Sequence, residues 1–170
     1  MSLIKHGERV ADDYWHFLAD NEDVGDYRHI VVSLDRWQRE ADTLVKSGIV
    51  LGVQLGSSHQ AADLADDVRH LELVSVEFPT IADGRGYTIG RMLRQRFHFS
   101  GELRAVGPIV RDQFPLLHRC GFDAVDARDD AEAAAWDIAV DAISVAYQPD
   151  VQSDHKSDAD DQIETLVAAA

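Results

Sequence analysis

Five times along the chain a short run of β-branched and aliphatic residues gives way to a segment with apolar residues at helical spacing. That alternation limits the fold more than any other feature. The runs are "HIVVSL" (residues 29 to 34), "IVLGVQLG" (49 to 56), "LELVSVEF" (71 to 78), "ELRAVG" (102 to 107) and "FDAVDA" (122 to 127), and each reads as a strand. Successive strands separated by helices need crossover connections, for which a parallel sheet of right-handed βαβ units is the economical arrangement. The expected class is therefore α/β, with about five strand-helix units forming a parallel sheet. Both a partial (βα) barrel and an open Rossmann-like sheet satisfy this string, because strand order is not written in a single sequence.

The intervening segments carry helix signals. "DRWQREADTLVKSG" places Trp37, Ala41, Leu44 and Val45 at helical intervals and stops at Gly48. "SSHQAADLADDVRHL" opens on a serine cap and sets Ala61, Leu64, Ala65 and Val68 on one face. Residues 86 to 97 and "VRDQFPLLHRCG" supply the third and fourth helices; Pro115 shortens or distorts the start of the fourth. The fifth, "DDAEAAAWDIAVDAISVAY", is alanine-rich, with Ala134, Ile138, Ala142 and Val145 in phase. Residues 1 to 148 thus form one expected domain, and the acid-rich stretch 149 to 170 an expected disordered tail.

Cys120 is the only cysteine, so no intrachain disulfide and no paired-cysteine metal or redox motif can form. The opening "MSLIKHGERVADDYW" has no signal-peptide core and no apolar stretch reaches a membrane span, so the expected location is the cytoplasm. A formal net charge of −15 argues against a nucleic-acid or anionic-membrane binder.

Against that acidity stands a basic island. Between Arg85 and Arg119 lie seven arginines and two acids, Glu102 and Asp112. Ligands of parallel α/β folds sit at the carboxyl ends of the strands, where strand-to-helix loops and helix N-termini gather. The third such loop, "FPTIADGRG", is long and holds Gly84 and Gly86; the fourth, "GPIVRDQ", puts Arg111, Asp112 and Gln113 before the next helix. Tyr87, Arg91 and Arg94 share a helical face at i, i+4 and i+7. Helix N-termini and the planar guanidinium fork suit oxyanions of sulfur, phosphorus or carbon. The anion-binding candidates are Arg85, Gly86, Tyr87, Arg91, Arg94, Arg111 and Gln113. The plain alternative is a solvated helix face balancing nearby acids.

Glu77 at the end of the third strand, with Asp83 and Asp112, supplies candidate acid/base carboxylates; salt bridges to Arg85 or Arg104 are the competing role. Gly84 to Gly90 spells G-x-G-x-x-x-G, but Pro79 to Asp83 intervene after the strand, which is the wrong context for a dinucleotide fingerprint. Cys120 follows Arg119, yet a lone cysteine before "GFDAV" reads as a small buried residue. The eight histidines show no metal-ligand spacing, so no metal site is expected, and no motif names a cofactor.

The stretch "VEFPTIADGRGYTIGRMLRQRFHFSGELRAVGPIVRDQFPLLHRCGFDAVDA" (76 to 127) resembles the bacterial domain-of-unknown-function family 934. Its hallmark runs F-P-x-x-x-D-G-R-G-Y-S, R-x-L-R, G-E-L-R-A-x-G, R-D-Q and R-C-G-F-D-A, and Thr88 stands in the usual serine position. The likeness extends over roughly residues 3 to 148. It implies a role in assimilatory sulfite reduction, within sulfur assimilation, beside whose genes the family's genes lie and whose oxidoreductase label its members carry. Two expectations follow. One is an accessory protein presenting an arginine-lined pocket to a small oxyanion or to an acidic patch on the sulfite-reduction enzymes. The other is an enzyme, an oxidoreductase or an acid/base catalyst, acting on a sulfonated or phosphorylated small molecule. A homodimer formed through an exposed sheet edge is a third, structural reading.

Overall fold

The computed structural model describes residues 2–5 and 8–127. Eight strands form one sheet: β1 (Ser2–Lys5), β2 (Glu8–Val10), β3 (His16–Phe17), β4 (His29–Ser33), β5 (Val50–Leu55), β6 (Leu73–Glu77), β7 (Glu102–Val106) and β8 (Ala124–Ala127). Their order is β2-β1-β8-β7-β6-β5-β4-β3. From β3 to β8 every pairing is parallel and follows the chain, whereas β1 runs antiparallel to β8 and β2 antiparallel to β1.

This corrects the expectation of about five strand-helix units and removes the Rossmann-like form. A Rossmann sheet reverses its strand order at a switch point; here each crossover steps in the same direction, and the sheet curls into a half-barrel. Among the described residues there are three α-helices: α1 (Leu34–Lys46), α2 (Arg85–Gln95) and α3 (Phe114–Arg119). The second crossover is not an α-helix. It consists of two 3₁₀ turns, Ala61–Leu64 and Val68–His70. Aspartates 63, 66 and 67 crowd this segment and favour caps over helix interiors. Asp63 accepts the Gln60 N–H at 2.8 Å, and Asp67 accepts the Trp37 indole N–H at 2.9 Å. The fifth expected helix and the acidic tail lie outside the described residues.

α1 starts where Ser33 turns its hydroxyl back to accept the Arg36 N–H at 3.1 Å. Pro115, lacking an N–H, is tolerated only in a first turn, and α3 begins immediately before it, at Phe114, after a 3₁₀ turn over Arg111–Gln113.

Strand alternation sorts the two faces. Ile30, Val32, Leu51, Val53, Val74, Val76, Leu103, Ala105 and Val125 point to the helical side, where Trp37, Leu44, Ile89, Leu93, Phe114, Leu117, Phe78 and Phe122 complete the main core. On the other face register aligns Leu73 with Glu102, Ser75 with Arg104 and Glu77 with Val106. The arc from β7 to β3 is four strand spacings, about 19 Å along the sheet. Yet the Arg104 guanidinium lies 5.9 Å from the Phe17 ring centroid. The helix-free face is therefore the inside of the curl. Residues 11 to 15, between β2 and β3, form a strap across it, and Trp15 packs there on Val31 and Leu73.

Candidate functional site

The carboxyl-end rim is built first from Phe78. Its ring is buried, and a β-carbon on Gly86 would come within 2.4 Å of it, so only glycine lets the first turn of α2 settle on that ring. Gly84 has no such constraint: its φ is −86° and nothing lies within 4 Å of where its β-carbon would stand. Gly107, with φ of 118° and an added β-carbon 2.2 Å from the Phe78 carbonyl oxygen, lets the loop after β7 turn tightly against the same residue.

Two of the predicted residues meet here. Gln113 donates from Nε2 to the Tyr87 hydroxyl at 2.9 Å and to the Ile81 carbonyl at 3.1 Å, while its Oε1 accepts the Val110 N–H at 3.0 Å. One amide thereby ties the loop after β6, the start of α2 and the loop after β7. Tyr87 is half-buried edge-on to Phe78, with centroids 5.1 Å apart, and burial pushes its phenol pKa up.

Asp83 and Arg85 also meet. The carboxylate accepts from the Arg85 backbone N–H at 3.1 Å, from Nε at 3.0 Å and from Nη2 at 2.6 Å. These bonds hold its pKa down at about 2. The guanidinium remains exposed, and its Nη1 takes no part in these bonds. Arg91 is also exposed and donates to Gln95 at 3.1 Å.

The others are placed apart. Arg94 turns inward: Nε donates to the Gly121 carbonyl at 2.9 Å, Nη1 to the carbonyls of Phe99 at 2.5 Å and Gly101 at 2.9 Å, and Nη2 to Asp123. It stitches α2 to the amino ends of β7 and β8, away from the rim. Arg111 opens its 3₁₀ turn with a side chain outside the described part of the structure, and Asp112 is exposed beside it. Glu77 points to the concave side at the end of β6. Its Oε2 lies 3.6 Å from where a Gly56 β-carbon would stand, and the His59 ring lies 3.8 Å from the same point. His59 Nδ1 accepts the Gly56 N–H at 3.0 Å, which leaves Nε2 as the nitrogen outside that bond.

A second charged centre, missed by the sequence reading, occupies the concave face. Arg104, 3% exposed, donates through Nε and Nη2 to Glu102 at 2.8 and 2.7 Å and through Nη1 to Asp13 on the strap at 2.5 Å. Lys5 completes the network at 2.7 Å from Glu102. Burial opposes the charge on Arg104, but Asp13 and Glu102 more than offset it, so its pKa is raised. Between strap and sheet lies a cavity of about 250 Å³ lined by Leu3, Val10, Phe17, Arg104, Val106 and Asp126, among others. Burial raises the pKa of Asp126, an effect Arg104 only partly counters. The signal that could have found this centre is the alternation in "ELRAV", which puts Glu102 and Arg104 on one face of an interior strand and Leu103 and Ala105 on the other.

Together these features define a half-barrel α/β protein with a loop-built rim at the carboxyl ends of its strands and an ionic network inside its curl. The chain belongs to a bacterial family: residues 52–157 match the one described as a bacterial protein of unknown function (DUF934). Comparison with curated proteins gives no match. Among the described residues no helix is long and apolar enough to cross a membrane, and no three metal-binding side chains cluster.

Proposed function

We propose that the protein is an accessory of assimilatory sulfite reduction that docks onto an acidic or oxyanion-bearing surface of that machinery through the outer face of α2. The observation that carries this reading is the charge of that helix. Its eleven residues contain no acid, Arg85 and Arg91 are exposed on it, and exposed Arg96 caps its end, in a chain of net charge −15. The Gln113 bridge holds the loop after β6, which carries Asp83, the partner of Arg85, in fixed relation to Tyr87 and to the turn that begins at Arg111.

Magnitudes decide between a free ion and a surface. Exposed ion pairs contribute about 0–1 kcal/mol each. Two or three of them fall short of the roughly 4.1 kcal/mol that even a millimolar dissociation constant requires. A lone sulfite or sulfate is therefore held poorly at this face, whereas an extended acidic surface gains from several contacts and from electrostatic steering. Binding of the purified chain to assimilatory sulfite reductase is the test. The expected result is an association rate that falls with salt and falls further in Arg85→Ala/Arg91→Ala. No binding at low salt, or binding indifferent to both substitutions, overturns the reading.

A second reading, an acid/base enzyme acting on a sulfonated or phosphorylated small molecule, is favoured by one observation: Glu77 and His59 converge beside Gly56 at the carboxyl rim. Asp83 suits that chemistry less, because Arg85 keeps it ionised and weakly basic. Thermal shift with sulfite, sulfate, phosphate and nucleotide sulfates tests it. Stabilisation by one of them that is lost in Glu77→Gln supports it, and no shift with any of them removes it.

A further inference from the structure

The cavity beneath the strap is separate from α2 and its arginines, and its chemistry is of the opposite sign. Four of the charged groups around it cancel in place: Lys5 and Arg104 supply two positive charges, and Glu102 and Asp13 two negative ones, every one of them in an ion pair. Asp13 is further committed, since its Oδ1 also accepts the Trp15 N–H at 3.2 Å. Asp126 stands outside that balance. It is partly buried, it lines the cavity, and no hydrogen bond to its carboxyl group is found among the described residues. The remaining walls, Leu3, Val10, Ala11, Phe17 and Val106, are apolar.

The floor of the concavity carries a further sign of unfinished pairing. Ser75 is 0% exposed and stands beside Arg104 in the register of β6 and β7, on the inner face, yet its hydroxyl has no partner among the described residues. Buried hydroxyls are normally satisfied. Burying a carboxylate is costly, Arg104 offsets that cost only in part, and the attraction of a further cation at short range grows as water is excluded.

We infer that this cavity is a binding site for a small organic monocation, an ammonium or amidinium group on a short apolar body, with Asp126 as its counter-ion and Phe17, Val10 and Val106 as walls. The volume of about 250 Å³ lies just below the usual range for ligand pockets, so the body is limited to a few carbons. An anion is disfavoured, because the Arg104 guanidinium is already shared between Asp13 and Glu102.

The test uses the full chain and three isosteric probes: isopentylamine, isopentyl alcohol and isovalerate, measured by calorimetry near neutral pH. Isopentylamine is expected to bind at least tenfold more tightly than the alcohol, with isovalerate weakest. Asp126→Asn should remove that preference for the amine while Arg85→Ala leaves it intact. Far-UV circular dichroism and the melting temperature without probe check that Asp126→Asn is folded. Val106→Phe, which fills the cavity and leaves the carboxyl group, should abolish binding of all three. Equal binding of amine and alcohol, tighter binding of isovalerate, or undiminished amine binding by Val106→Phe or folded Asp126→Asn overturns the inference.

Discussion

Asp13 and Arg104 are 91 positions apart and meet as a two-pronged ion pair inside the curl, with Nη1 2.5 Å from Oδ2 and Nη2 3.3 Å from Oδ1. The pair is lopsided. Arg104 is 3% exposed in its side chain and Asp13 33%, so the arginine is the member that depends on the fold. Removing it strands the buried Glu102 carboxylate with Lys5 alone. Breaking a buried ionic pair by deleting one partner costs about 3–5 kcal/mol. Arg104→Ala is therefore expected to lose that much in urea unfolding, and Asp13→Ala, which leaves Arg104 its Glu102 partner, about 1–2 kcal/mol. Equal losses for the two would mean that the strap, not Glu102, anchors the guanidinium.

Gly86 and Gly84 are two residues apart and should respond in opposite ways. A methyl group on Gly86 meets the Phe78 ring at 2.4 Å. Since Phe78 is buried and cannot swing away, α2 must shift, at a cost of about 1–3 kcal/mol. Gly84→Ala meets nothing and needs no unusual torsion, so it is expected to be neutral or to stabilise by about 0.4–1 kcal/mol through the unfolded chain. Thermal melts of both check this, and Phe78→Leu should relieve part of the Gly86→Ala loss.

Two arginines of α2, three positions apart, separate structure from surface. Arg94 satisfies three carbonyls and Asp123, whose carboxylate also accepts the Leu103 N–H at 2.9 Å. Arg94→Ala uncouples these groups and is expected to cost about 3–5 kcal/mol. Arg91→Ala, on the exposed side, should stay within about 0.5 kcal/mol in stability and show itself only in partner binding. Chemical denaturation of the two variants side by side decides the matter.

That contrast also shows where sequence reasoning reaches its limit. Helical spacing puts Tyr87, Arg91 and Arg94 along one side of a helix, but spacing sets the direction of a β-carbon, not the destination of a long side chain. Arg94 reaches carbonyls at Phe99, Gly101 and Gly121 that only the tertiary fold brings within range. The five strands were legible because each is a local apolar run. The second crossover was legible only as apolar spacing: Ala61 and Leu64 are buried as that spacing requires, but capping by Asp63 and the Trp37 bond to Asp67 hold the segment in 3₁₀ turns. The short strands β1 and β2 owe their existence to pairings such as Leu3 with Asp126, for which no local signal exists. For the same reason Asp13, in a polar stretch far from Arg104, gave no hint of the ionic network.

The rim offers a pH test with a definite sign. Three bonds from Arg85 depress the Asp83 pKa from the usual 3.8 to about 2. A carboxyl group whose pKa is lower folded than unfolded adds stability that is fully present above the unfolded value and fades as pH falls through the folded one. The Asp83–Arg85 contribution should thus be constant above pH of about 4 and disappear as acidity approaches pH 2. Both groups meet solvent, so the effect on overall stability is small and the titration itself is the better observable. Carboxyl-carbon NMR should follow Asp83 to a midpoint near 2, and Arg85→Ala should return it toward 3.8. Arg91→Ala, whose guanidinium is turned to Gln95, should leave the midpoint where it is. A midpoint near 3.8 in the unaltered chain would mean that Arg85 leaves Asp83 in solution, freeing the carboxylate for proton transfer.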